Sequence, residues 1–380
     1  MKNFSTFVYR GGGTVNFRSD AGVLKKQLKN ALKSSPPPQL DNKEKKLLET
    51  IRYKTKKANQ NNVTRTKAYL DFFLIHPEIH WALLAHLVSR NAGWNMTDLK
   101  GTYLPKLLTA KEAVDFYMFL ERGNWLIFQD AYPQLLLYEY SRKRGEPLWH
   151  LLPSLNVSAF MRPFWERFWE SGCSEEITKA LIVNEQHYIE NRVLNNSLYM
   201  HTVMDKVMFK LQELMSMNHI LFPYLTPVQK RIKLTGGTVH HFTSVNKRVS
   251  LGRSLYDLLY SIESRLESII LWAESRPHTG SRADYWPELF LMEGNSSTPV
   301  SSSSPCRGLG RNKLFSPALT SAWDDWIHPH AEEGDWFTDC HVLRLLKKKP
   351  EKFSGEIEAA CCQSLEEVHT AVQAKQTFFP

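Results

Sequence analysis

The string HPEIHWALLAH places His76, Glu78, His80 and His86 within one short stretch. Imidazole and carboxylate are common zinc ligands, and two histidines at i and i+4 share one face of a helix. Pro77 undercuts that reading. A residue before proline is driven out of the α region, so His76 caps a helix rather than projecting from it. His86 also lies about 80° around the helical wheel from His76. No downstream Glu or Asp is tied to the histidines by spacing. No metal site is therefore expected, with His80 and His86 the nearest candidates.

The string NEQHYIENRVLNN, from Asn184 to Asn196, offers a different chemistry. On a helical wheel Asn184, His187, Asn191, Asn195, Thr202 and Asp205 form one stripe. Ile189, Val193, Met200, Val203, Met204 and Val207 lie opposite. Solvated helix faces are usually built from Lys and Glu, and asparagine is a poor helix former. Repeated asparagines imply hydrogen-bond partners. Two readings stay open: a polar groove or network that binds a ligand, and a solvent face or purely structural network. In the first, His187 is the candidate acid–base group, with Asn184 and Asn191 as candidate ligand contacts.

Two loops carry small residues beside arginine. One runs through Thr235, Gly236, Gly237, Thr238, His240 and His241 toward Lys247, Arg248 and Arg253. The other holds Thr279, Gly280, Ser281, Arg282 and Asp284. Backbone N–H groups and a guanidinium fork can hold phosphate in such loops, making Arg253 and Arg282 candidate ligand contacts. Neither loop has the GxxxxGK[ST] spacing of a P-loop, and a turn held by an Arg–Asp pair is the simpler account. GxSxG, HExxH, GxGxxG after a strand and zinc-ribbon spacing are all missing from the sequence. No cofactor or substrate is named by any motif.

The elements that must position these residues read as helices. Asp41 with Glu44, and Thr109 with Glu112, are capping-box pairs. Helices are expected through residues 23–32, 41–57 and 64–73, from Pro77 to about Ser89, over 109–121, and over 125–142 with a bend at Pro133. An aromatic helix follows Ser158. A long helical stretch runs from Ser174 to about Met217, and another helix covers about 254–274. Gly93 is read as ending the fourth of these. The β-branched residues around Gly236 and Gly237 point to a hairpin or irregular excursion near 228–250. The fold class is all-α. A basic helical arm with a Pro-rich break (1–62) precedes a helical core (63–293). A Ser/Gly/Pro-rich linker (294–320) then leads to an appendage with one short helix (321–380).

The hydrophobic fraction of 42% and aromatic fraction of 12% suit a chain with a sizeable core. No run of about 18 apolar residues implies a spanning helix. Five cysteines without a CxxC pair read as reduced thiols, and a disulfide scaffold is not expected. Residues 1–67 hold sixteen Lys and Arg against four Asp and Glu, a balance of +12. The rest of the chain therefore carries −3 of the total +9. Such an arm suits contact with nucleic acid or an anionic membrane surface.

The strings HPEIHWALLAHLVSRNAGWNMTDLKG, SAFMRPFWERFW, LIVNEQHYIENRV and HTGSRADYWP resemble the YppC-like family of uncharacterised proteins from Bacillus and relatives. The resemblance spans about residues 60–290. It implies a bacterial, cytoplasmic protein and no particular reaction. The leading expectation is a non-enzymatic binding or interaction protein with a polar helical groove and a basic arm, open to a protein partner. The alternative is a hydrolase or transferase for a phosphorylated substrate, with His187 as acid–base and Arg253 or Arg282 on the phosphate.

Overall fold

A computed structural model describes residues 17–33, 39–194, 196, 219–226, 231–238, 244–293, 299–300, 306, 308–309, 312–347 and 352–378. Helix α1 (Phe17–Ala31) and helix α2 (Asn42–Ala58) form the basic arm. Leu24 and Leu28 of α1, and Leu47, Leu48 and Ile51 of α2, are buried in the common core. Their lysines face outward because the apolar stripe is used internally. The described part of the arm thus packs into the body.

Helix α3 (Asn62–Ile75) is capped by Asn61, with Thr64 as the reciprocal partner. Its C-cap is His76. Helix α4 (His80–Asp98) passes through Gly93, which does not end it as its type suggested. A short helix α5 (Leu104–Leu107) leads to α6 (Ala110–Arg144), opened by the Thr109–Glu112 capping box and closed by Gly145 in the left-handed conformation. The two helices expected over 109–142 are this one element, with Pro133 inside it. A 3-10 turn (Trp149–Leu155) leads to α7 (Met161–Ser171), and α8 (Ser174–Ile189) continues as a π-type turn over Glu190–Leu194. The continuation of that stretch to Met217, with Asn195, Thr202 and Asp205, lies outside the described residues. So do His240, His241, the Pro-rich break, and residues 294–298, 301–305, 307 and 310–311 of the linker.

The expected excursion is an antiparallel hairpin of β1 (His219–Leu225) and β2 (Ile232–Thr238), in register from His219 opposite Thr238 to Leu225 opposite Ile232. It sits earlier in the chain than 228–250. A Cβ on Gly236 would lie 2.0 Å from the Ile220 carbonyl oxygen, so only glycine permits this pairing. Helix α9 (Val245–Tyr260) begins nine residues earlier than expected, and α10 (Glu263–Ser275) follows. Strands β3 (Phe290–Leu291) and β4 (Leu314–Phe315) form a short parallel pair. The chain ends with α11 (Leu319–Ala322), α12 (Leu343–Lys347) and α13 (Glu358–Phe378). The fold is predominantly α-helical, as expected.

The C-terminal region is not an appendage. Leu319, Phe337, Leu345, Leu346, Leu365 and Val368 belong to the same core cluster as α3, α4 and α6. The thiols are not all reduced either. A disulfide joins Cys306 to Cys362 and ties the linker to α13, aided by a Gly308 N–H donated to Glu366. Burial pushes the neighbouring Cys361 thiol up to about 11. Among the described residues, no helix is long and apolar enough to cross a membrane.

Candidate functional site

The asparagine stripe on α8 is internal at its first members. Asn184 is buried and donates to Asp130 of α6 at 2.5 Å. Gln134 donates to the same carboxylate at 3.0 Å and accepts from the Trp165 indole at 2.9 Å. Asp130 Oδ1 has no hydrogen-bond partner among the described residues. Burial raises the Asp130 carboxyl to about 7, opposed by the Asn184 hydrogen bond and by the charge of Arg192. Glu185, on the adjoining face of α8, accepts from the Trp81 indole at 3.1 Å and is raised to about 7, again chiefly by burial.

An extended segment, residues 323–337, closes this network from outside. Trp336 donates its indole N–H to Asn184 Oδ1 at 2.9 Å and stacks on His187 at 4.5 Å between ring centres. The His187 Nδ1–H donates to the Val183 carbonyl, and burial lowers its pKa. Arg192 donates to the main-chain carbonyls of Glu332 and Gly334, at 3.0 and 2.7 Å. Arg122 donates to those of Pro329 and His330 at 2.7 and 3.3 Å. At the other end, Trp323 stacks flat on Tyr117, 4.1 Å between centres. His328 stacks on Trp125 and reaches Glu121, which also holds Arg65 at 2.5 Å. This strap lies on α6 and α8 as a peptide ligand would. Guanidiniums read its backbone and aromatic side chains anchor its ends. Asn191 lies on the exposed side of the π-type turn.

The other candidates fall elsewhere. His80 stacks on Tyr260 at 4.0 Å and bonds Tyr256, and burial lowers its pKa to about 4. The His86 Nδ1–H donates to the Thr66 carbonyl, and its Nε2 accepts from Arg90 at 3.0 Å. That arrangement uses both ring nitrogens of His86, so it has no lone pair for a metal. Among the described residues no three potential ligands cluster. Arg282 forms a bidentate pair with Asp98 and donates to Tyr285. The partner expected within its own loop, Asp284, instead faces His278 at 3.3 Å and accepts from Thr279 at 2.6 Å. Arg253 donates to the Leu345 carbonyl and holds α12. These candidates therefore have separate sets of partners.

A second buried network joins α3, α4 and the 278–285 loop. The His278 Nε2–H donates to Asn62 Oδ1 at 2.9 Å, and Asn62 donates to Ser89. Trp94 donates to Asp284, and Thr97 donates to the Gly280 carbonyl at 2.6 Å. A Cβ on Gly93 would lie 2.4 Å from both Asn62 Oδ1 and His278 Nε2, so the helix must carry glycine there. Burial favours a neutral His278, opposed by Asp284.

Sequence reading missed Asp130, Arg192 and Trp336. Asp130 had a usable signal: a lone carboxylate among apolar residues in LIFQDAYPQLLL. Two surface hollows, of about 540 and 450 Å³, are lined by residues near Asp41 and Arg144 and near Lys100 and Pro317. Neither contains a candidate residue.

The comparisons with known proteins agree with the quoted strings. A family described as a protein of unknown function (DUF2515) matches residues 57–357, well past the span read from sequence and through the strap. The uncharacterized protein YppC of Bacillus subtilis (strain 168) is 39% identical over 293 residues, covering 77% of this chain and 83% of that protein. No solved structure matches. On this evidence the chain belongs to the DUF2515 family.

Proposed function

We propose that this is a non-enzymatic binding protein whose groove on α6 and α8 takes an extended, tryptophan-bearing peptide. In the resting chain its own strap fills that groove. The observation that carries the reading is the use of Arg122 and Arg192 on strap carbonyls, beside the Trp336 indole on Asn184. Contacts to backbone carbonyls tolerate many sequences, and the aromatic anchors supply selectivity. Binding a partner then requires displacing the strap, which acts as a tethered competitor.

The test uses the full chain with Trp323→Ala and Trp336→Ala, checked for native near-UV circular dichroism. A fluorescent peptide spanning residues 320–340 is titrated by anisotropy. Saturable binding to the variant, and much weaker binding to the unaltered chain, is expected. A folded variant that leaves the peptide unbound contradicts the reading.

The basic arm supports a further electrostatic contact with a phosphate-bearing partner, nucleic acid or an anionic membrane surface. Lys43, Lys45 and Lys46 at the start of α2 stay exposed, as do Arg142, Lys143 and Arg144 at the end of α6. Because α2 packs into the core, deleting the arm would disturb the body. Lys45→Glu with Lys46→Glu is the cleaner probe. Loss of salt-dependent binding to duplex DNA or phosphatidylglycerol vesicles is expected, and unchanged binding removes this contact. No observation favours the phosphate-transfer alternative, since Arg253 and Arg282 are engaged internally. A cytoplasmic setting belongs to the proposal. Cell fractionation tests it, and the Cys306–Cys362 bond is the feature such a compartment would tend to reduce.

A further inference from the structure

One part of the surface combines exposed apolar, acidic and basic groups. Ile327, at the crest of the strap, is 93% exposed, and its neighbour Trp326 is 46% exposed. Asp324 and Asp325 beside them are exposed too. Asn61 donates to Asp325 at 2.8 Å, which fixes this crest against the turn between α2 and α3. On the other side of that turn, the last turns of α2 expose Tyr53, at 68%, together with Lys56 and Lys57. Tyr53 lies opposite the buried stripe of Leu48, Ile51 and Thr55, so it points away from the core.

Two groups of opposite charge therefore flank the turn that Asn61 ties to Asp325: an acidic, apolar crest and a basic, aromatic helix end. A phosphate-rich partner would satisfy the lysines but would be repelled by Asp324 and Asp325. A second copy satisfies both halves. A two-fold axis through the patch lays the acidic crest of each copy on the basic helix end of the other, and a self-complementary surface is what such symmetry requires. Burial of Ile327, Trp326 and Tyr53 would supply the apolar centre. We infer that the protein forms a two-fold dimer through the strap crest and the C-terminal end of α2. This inference is independent of the peptide reading, because it uses the outer side of the strap and leaves its grip on α6 and α8 intact.

Sedimentation velocity of the full chain across a concentration series tests it. A species of twice the 44.1 kDa chain mass is expected, weakening as salt is raised. Ile327→Asp should give monomer with an unchanged circular dichroism spectrum. Lys56→Glu with Lys57→Glu should weaken the dimer by at least about tenfold, and adding Asp324→Lys, which leaves the Asn61–Asp325 bond in place, should restore part of it. A monomer at every concentration overturns the inference, as does a dimer indifferent to Ile327→Asp. Charge reversal without rescue overturns the pairing. Ile327-dependent binding to phosphatidylglycerol vesicles by a monomeric chain would assign the patch to a lipid surface instead.

Discussion

At the residue scale, two positions show how much depends on single atoms. Gly93 leaves just enough room for His278 to meet Asn62 across α4. Gly93→Ala should cost about 1–3 kcal/mol by overpacking, read as a lowered urea midpoint. Unchanged stability would show that the network relaxes freely. Asp130 is the second position. In the folded chain burial holds its proton up to about pH 7, whereas the ordinary value is 3.8. A carboxyl raised in the fold favours folding below the unfolded value, and that contribution is lost as pH rises from 4 toward 7. The slope from this group approaches about 1.4 kcal/mol per pH unit within the window. Asp130→Asn should flatten the fall in stability between pH 5 and 7.5, while Asn184 keeps an acceptor. A slope identical to the unaltered chain would contradict the assignment. Asp130 carries the argument rather than Glu185 because Glu185 retains some solvent contact.

At the scale of elements, what could be read from sequence depended on whether the signal was local. The capping boxes at Asp41 and Thr109 were legible because cap and partner are three residues apart. The hairpin was legible through its glycines, but its first strand, HILFPYL, gave no turn signal to place it. Gly93 misled because a helical glycine and a terminating one look alike until the neighbour across the helix is known. The α8 stripe announced that its asparagines need partners, and Asn184 has two. Their identity was out of reach, since Asp130 is 54 residues away and Trp336 is 152. Arg282 and Arg253 read as loop cations that could hold phosphate, with an Arg–Asp pair in the turn as the simpler account. Their partners, Asp98 and the Leu345 carbonyl, are long-range as well.

At the scale of the whole molecule, the C-terminal region is what turns a helical body into a closed one. The Cys306–Cys362 bond closes a loop with a sequence separation of 56. Cys306→Ser should lower stability by about 2–4 kcal/mol under oxidising conditions, and reductant should then have no further effect. Equal melting of the two proteins before reduction would contradict this. The proposed function makes the strap a tethered occupant of the α6–α8 groove, separable from the core it packs on. Native-state hydrogen exchange measures this directly. Amides of residues 328–337 should exchange through a local opening at least about tenfold faster than those of α4. Trp336→Ala should speed the strap while leaving α4 unchanged. If the strap exchanges only together with α4, by global unfolding in both proteins, it is a core element and the groove is not a binding site.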